Sequence, residues 1–346
     1  RDWSSDVYSS DLILKQGAQT LAGVAAAATV GTTAFAAEAT PELAALDAVS
    51  LAKTIRSKRA SCVEVMEAHL KQIERLNGTA NAIVALQPRD ALLREAKERD
   101  AQLAKGDAIG PLHGFPHAVK DLAPVKGIRF TQGFPAFRDR VAAADGLLAE
   151  RLRNAGVIFV GKTNTPEFGL GSHTVNRVYG ATHNPYNAAR TAGGSSGGAA
   201  VALALRMLPL ADGSDYGGSL RNPAGWNNIF GMRPSQGRVP GVPANDVYVS
   251  QMPTDGPMGR HVADLALLLS TQAGPDPRAP LSLTADPGIF TNDLSVDISG
   301  QRVGWLGNLN GYLPTEVGVL EACQAGLGRL QQIGCHIEET RLNTPP

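Results

Sequence analysis

Residues 191–221, TAGGSSGGAAVALALRMLPLADGSDYGGSLR, constrain the fold of this chain more than any other stretch. Two glycine-and-serine clusters flank an apolar run. A flexible linker would continue in polar residues, whereas Gly197 and Gly198 lead directly into the apolar, helix-forming run 199–205, so these glycines sit at a helix N-terminus. Glycine there permits positive φ and close approach of backbone N–H groups to a bound oxygen. The helix start adds positive partial charge, so an anion or oxyanion is favoured. The second cluster, residues 213–219, follows Leu208, Pro209, Leu210 and Ala211 and resembles a strand ending in a loop that presents a serine. Successive N–H groups of Tyr216, Gly217 and Gly218 would then form an oxyanion hole beside Ser219.

A serine is a weak nucleophile until a base takes its proton, and the usual base is histidine. No histidine lies beside either cluster; His113, His117, His173 and His261 could reach it only through the fold. Lys120, in HGFPHAVKDL, offers another route, since it closes a short apolar strand formed by Ala118 and Val119. A buried lysine loses ammonium hydration, its pKa falls, and the neutral amine becomes a base. Read alone, Lys120 is first of all a surface lysine paired with Asp121.

The remaining chain alternates helix and strand. Ser61 and Glu64 form a capping-box pattern that opens an amphipathic helix reaching about Leu76, with Val63, Met66 and Leu70 on it. A short strand is expected over 82–86, and a charge-laced helix over 90–105 that Gly106 terminates. A helix over 145–154, stopped by Gly156, feeds the β-branched strand Val157, Ile158, Phe159 and Val160. Strand, helix and strand recur over 302–306, 315–332 and 335–338, with Leu320, Cys323, Leu327 and Leu330 on one helical stripe. This pattern is α/β: a layered α/β/α sandwich around a large mixed sheet, in one domain from residue 40 to 346.

Lys plus Arg equals Asp plus Glu at 32 each, so no global field draws the protein toward nucleic acid or an anionic membrane. A small-molecule partner is expected, and a homodimer stays open. Cys62, Cys323 and Cys335 form neither a CxxC pair nor a ligand cluster, and read as small apolar residues. Residues 15–37 run from Lys15 through an alanine-rich apolar core to an A-x-A pattern at Ala34, Phe35 and Ala36; a signal peptide over 12–37 is therefore expected, and with it export to the periplasm or medium. Residues 1–11 carry no initiator Met and no periodicity and look non-native; if so, a cytoplasmic location is the alternative.

The segments HGFPHAVKD, TAGGSSGG, GSDYGGSLRNPA and NIFGMRPSQGRVP together resemble the amidase signature family, as does the intervening EFGLGSHTVNRVYGATHNPYN. The resemblance implies a Ser-cis-Ser-Lys triad, with Ser219 as nucleophile, Ser195 as the bridging serine in a cis peptide, and Lys120 as base. It implies an amide C–N hydrolase working through an acyl-enzyme, without metal or cofactor, on a small-molecule amide. Asp215 and Arg221 match positions that hold the loop; Gly193, Gly194, Ser196 and Thr191 line or buttress the site. The family domain extends further at its C-terminus, so the sheet is expected to be incomplete. Ala192 stands where proline is common.

Three rival patterns exist. Gly156 to Thr163 satisfies the P-loop spacing, but a β-branched strand fills its middle and Pro166 prevents a helix from starting at Lys162. Gly193-Gly194-Ser195-Ser196-Gly197 fits G-x-S-x-G, which would make Ser195 an α/β-hydrolase nucleophile served by His261 or His336. Ser50 and Lys53 fit S-x-x-K without its companion motifs. A non-enzymatic alternative is an exported amide-binding scaffold.

Overall fold

The computed structural model describes residues 43–107, 109–242, 246 and 252–341. The expected leader and signal peptide lie outside these residues. Those described group into two compact units, 43–292 and 293–341.

The first unit begins with α1 (Ala48–Arg56), capped by Asp47, whose side chain accepts from Ser50 N at 2.7 Å. In α2 (Cys62–Ala80) the capping box forms as the sequence predicts: Ser61 Oγ accepts from Glu64 N at 3.1 Å and Glu64 Oε2 from Ser61 N at 2.8 Å. Val65, Met66, Leu70 and Ile73, spaced at helical period, bury one face. After β1 (Ile83–Val84), α3 (Arg89–Lys105) ends at Gly106 in the left-handed region. Next come β2 (Pro116–Lys120), α4 (Leu147–Asn154) and β3 (Ile158–Thr163). β3 pairs in parallel with β2 and antiparallel with β1, in the order β1-β3-β2. Every residue of β2 and β3 is buried, which is why both read as continuous runs. β3 continues through Lys162 and Thr163, so the P-loop spacing is a strand, not a phosphate cradle.

A hairpin of β4 (Val175–Asn176) and β5 (Gly180–Ala181) precedes α5 (Gly197–Ala204), apolar on all sides and buried from Gly197 to Leu203. Its Val201 and Leu203, both 0% exposed, each contribute roughly 1.5–3 kcal/mol by leaving water. β6 (Ala211–Asp215) follows, then α6 (Arg221–Trp226), β7 (Phe230–Gly231), β8 (Thr254–Gly259) and α7 (Val262–Gln272). These strands form an antiparallel sheet in the order β6-β8-β7.

The α/β class is as the pattern predicts, and among the described residues the strands are shared between several small sheets. The two three-stranded sheets of this unit meet at Asp212. From β6 its carboxylate accepts from His117 Nε2 at 2.9 Å and Lys120 N at 3.1 Å, both on β2. One boundary moved with consequence: the strand expected over 208–211 instead starts at Ala211 and carries Gly213 and Ser214 into the ladder.

In the second unit, β9 (Arg302–Trp305) and β10 (His336–Glu339) pair in parallel and are connected through α8 (Val319–Gln332). Leu320, Leu327 and Leu330 are half-buried, but Cys323, expected on the same stripe, is exposed.

Candidate active site

β2 delivers Lys120 at its last residue, with 1% of its surface exposed. Its Nζ lies 2.7 Å from Ser195 Oγ, 2.9 Å from Ser196 Oγ and 2.9 Å from Ser214 Oγ. Burial drives the Lys120 pKa down to about 7, although Asp255, Asp212 and Asp215 pull it back toward charge. The reading of Lys120 as a surface lysine paired with Asp121 is overturned. Asp121 is itself buried and takes Thr131 N and Oγ1 instead, the latter at 2.6 Å.

Ser195 and Ser196 stand at the N-terminal end of α5, 2% and 0% exposed. The Gly194–Ser195 peptide bond is cis, as the resemblance implies. Gly193 holds φ 69°, and a Cβ there would stand 2.9 Å from Pro223 Cα. Ser196 N donates to the carbonyl of Ser219 at 3.3 Å, which ties the two serine segments together. Ser219 is half-buried, in the turn between β6 and α6, and its hydroxyl has no hydrogen-bond partner among the described residues.

The loop carrying Ser219 is held from beneath by Asp215. This carboxylate accepts from Gly218 N at 2.8 Å, Leu220 N at 3.0 Å, and Arg221 Nε and Nη2 at 3.1 Å each. Burial alone would raise its pKa; the Arg221 guanidinium and the two amides outweigh that and hold it at about 2. The expected oxyanion set is narrowed here. Gly218 N–H is committed to Asp215, leaving the amides of Tyr216, Gly217 and Ser219 without acceptors among the described residues.

Among the described residues, none of the imidazoles of His113, His117, His173 and His261 hydrogen-bonds to Ser195 or Ser219. His113 Nε2 lies 2.9 Å from Arg99 O, His117 binds Asp212, His173 Nδ1 lies 2.9 Å from Thr191 Oγ1, and His261 Nδ1 lies 3.1 Å from Asp264 Oδ2. Among the described residues no group of three or more His, Cys, Asp or Glu could hold a metal, and no helix is long and apolar enough to cross a membrane.

Four participants escaped the sequence reading. Ser214 contacts Lys120 because β6 runs further than expected; Asp212 and Asp255 pull the amine toward charge; Arg233 Nε sits 3.7 Å from Asp215 Oδ1. A charged residue inside a buried strand, as Asp212 is, was the available signal. Gly169 also approaches: a Cβ there would meet Leu122 Cδ1 at 2.6 Å and Ser195 Oγ at 3.4 Å.

This α/β scaffold buries a lysine amine among serine hydroxyls, with no imidazole hydrogen-bonded to Ser195 or Ser219 among the described residues. Comparison gives its class. The sequence matches the Amidase family over residues 64–346, and the chain belongs to the amidase signature family. It is 38% identical over 296 residues to an acylamidase of Rhodococcus erythropolis, covering 85% of this chain and 61% of that protein. It is 37% identical to a glutamyl-tRNA(Gln) amidotransferase chain of Synechococcus sp. (strain CC9605), covering 82% and 58%. A bacterial aryl acylamidase of the same family superposes with a TM-score of 0.81 at 32% identity, covering 87% of this chain and 62% of that one. The chain thus spans about three-fifths of the length of these relatives.

Proposed function

We propose that this protein hydrolyses the C–N bond of small-molecule amides through a serine acyl-enzyme, with Ser219 as nucleophile, Ser195 as proton bridge and Lys120 as base. The observation that carries the reading is the buried Lys120 amine 2.7 Å from Ser195 Oγ, with a pKa brought to about 7 by burial. Such an amine is about half neutral at neutral pH and can accept a proton without histidine.

As Ser219 Oγ attacks the amide carbonyl, its proton passes to Ser195 Oγ, and Ser195 gives its own to Lys120 Nζ. The developing oxyanion is met by the free amides of Tyr216 and Gly217, with Ser219 N–H adjacent. Lys120, now an ammonium, returns a proton through Ser195 to the leaving amine, and the C–N bond breaks. Water then enters by the same relay and releases the carboxylic acid. Ser196 and Ser214 keep the amine aimed at Ser195 through either protonation state, because a hydroxyl both donates and accepts. No step needs a metal or cofactor. Two relatives are acylamidases by name, so simple acyl anilides are the first substrates to try. The expected signal peptide adds a second proposal, that the mature protein acts outside the cytoplasm, which fractionation of the native host tests.

Whole-protein mass spectrometry after a fluorophosphonate probe tests the triad. One adduct is expected, absent from Ser219→Ala and greatly slowed in Ser195→Ala and Lys120→Ala. An adduct on Ser195 that survives Ser219→Ala would establish the α/β-hydrolase arrangement instead. No adduct on the folded protein would favour the amide-binding scaffold.

A further inference from the structure

Three carboxylates act on the Lys120 amine, and two of them are already committed. Asp215 is engaged by Arg221, by Arg233 and by the amides of Gly218 and Leu220. Asp212 is engaged by His117 and by the Lys120 backbone N–H. Asp255, on β8, has no hydrogen bond to its carboxylate among the described residues. It lines a cavity of about 540 Å³ together with Leu122, Phe130, Gln132 and Thr254.

The β6–β8 register fixes where this carboxylate points. Asp255 is the direct antiparallel partner of Ser214, and directly opposed residues project from the same face of a sheet with Cβ atoms about 5 Å apart. Ser214 Oγ is the atom 2.9 Å from Lys120 Nζ. Asp212, two residues earlier on β6, projects from that face as well. Asp255 therefore shares a sheet face with the hydroxyl that holds the amine, and it also lines the cavity.

We propose that Asp255 is the counter-charge of Lys120: a positioning residue that stabilises the ammonium formed while Lys120 holds the Ser219 proton. This rests on the triad proposed above. No bond forms or breaks at Asp255; the proton moves from Ser219 through Ser195 to Nζ and back, and Asp255 supplies only the opposing charge. Asp255 itself is pushed up to about 7, by burial first and by the Asp212 charge second, while Lys120 pulls it down. Lysine and carboxylate thus bias each other, Asp255 pulling Lys120 toward charge and Lys120 pulling Asp255 toward charge. The other ionisable groups around them are His117 on β2, Asp212 and Asp215 on β6, and Lys162 on β3, whose burial lowers its pKa to about 8 while Asp121 first and Asp212 next pull it back up. None of these would lose its own partners on removal of Asp255. Asp246 lines the same cavity.

The test is the pH dependence of fluorophosphonate labelling in the intact protein and in Asp255→Asn, between pH 5 and 10. Removing a negative charge favours the neutral amine, so the acid-side midpoint should fall by about one unit. A weaker base should also lower the plateau rate about three- to tenfold. Asp255→Glu, which keeps the charge, should restore the wild-type midpoint, and circular dichroism confirms that each variant folds. If Asp255→Asn does not fold, Asp255→Ser removes the charge with less bulk and is read identically. A midpoint unchanged in the neutral variant overturns the proposal, as does an unchanged midpoint accompanied by a higher KM for amides with cationic leaving amines, which would assign Asp255 to the substrate. If the wild-type protein itself is not labelled at Ser219, it is the triad reading that falls.

Discussion

The two glycine–serine segments, 193–198 and 213–219, are almost interchangeable in composition and end in opposite environments. In the first, every residue from Gly193 to Gly198 is buried, and Ser195 and Ser196 are both engaged by Lys120. In the second, Tyr216 and Gly217 are exposed, and the Ser219 hydroxyl has no partner among the described residues, above a carboxylate that braces the turn. Glycine serves different ends in the two. In the first it removes side chains that would collide; in the second it leaves room and free amides around a serine that must be reached. A proton bridge has to be held, and a nucleophile has to be open to substrate.

The strongest way to break this comparison is to interrupt the bridge while leaving the nucleophile in place. Ser195→Ala should slow Ser219 acylation by about 10²- to 10⁴-fold, the usual contribution of a positioned proton-transfer group. Stopped-flow or timed labelling measures it. In the wild-type protein the same rate should rise through a midpoint near pH 7, because Lys120 is a base only when neutral and its pKa is about 7. A midpoint near 10 would mean the amine is not desolvated in solution. A loss under tenfold in Ser195→Ala would mean that Ser219 gives up its proton by another route.

A second test compares the glycines directly. A Cβ on Gly198 would fall 2.3 Å from Asn164 N and 2.6 Å from Ala82 O, backbone atoms that cannot step aside. Gly198→Ala should therefore cost about 1–3 kcal/mol, or more, by overpacking. A Cβ on Gly217 would meet nothing within 4 Å, and Gly217→Ala should stay within about 0.5 kcal/mol. Chemical denaturation of both variants measures the difference, and equal losses would show that the two segments are not packed as described.

Much of this was legible in the residues. The capping box at Ser61 and Glu64, the αL stop at Gly106 and the buried strand through Val160 follow from local chemistry, and the structure has each of them. The motifs around Lys120, Ser195 and Ser219 marked residues the fold brings into one place. What stayed hidden depends on register. Ser214 looked like a loop residue because Gly213 and Ser214 are poor strand formers, and pairing with Gly256 and Asp255 overrode that propensity. With the strand read too early, period two could not set Asp212 and Ser214 on one face, and Asp255, far along the chain on another strand, carried no local signal at all. The commitment of Gly218 N–H to Asp215 was equally unreadable, since it depends on a turn geometry that the letters GSDYGGS share with many others.

The smallest expected effect lies at the brace. The Arg221 side chain is 56% exposed, so its ion pair with Asp215 is screened, and Arg221→Ala should cost only about 0.2–1 kcal/mol. Its kinetic effect should be seen at the turn, as a modest fall in labelling rate with the pH midpoint unmoved, because Lys120 does not depend on Arg221. Asp215→Asn is a sharper version. It leaves Arg221 and Arg233 without their charge partner and costs about 1–3 kcal/mol. The folded pKa of Asp215, about 2, lies below the ordinary carboxylate value of 3.8, so its stabilisation is complete above pH 4 and lost as pH falls toward 2. The wild-type protein should lose stability over that window, and Asp215→Asn should show a shallower decline there. Parallel acid denaturation of the two forms decides it, and identical slopes would show that ionisation of Asp215 does not stabilise the turn under Ser219.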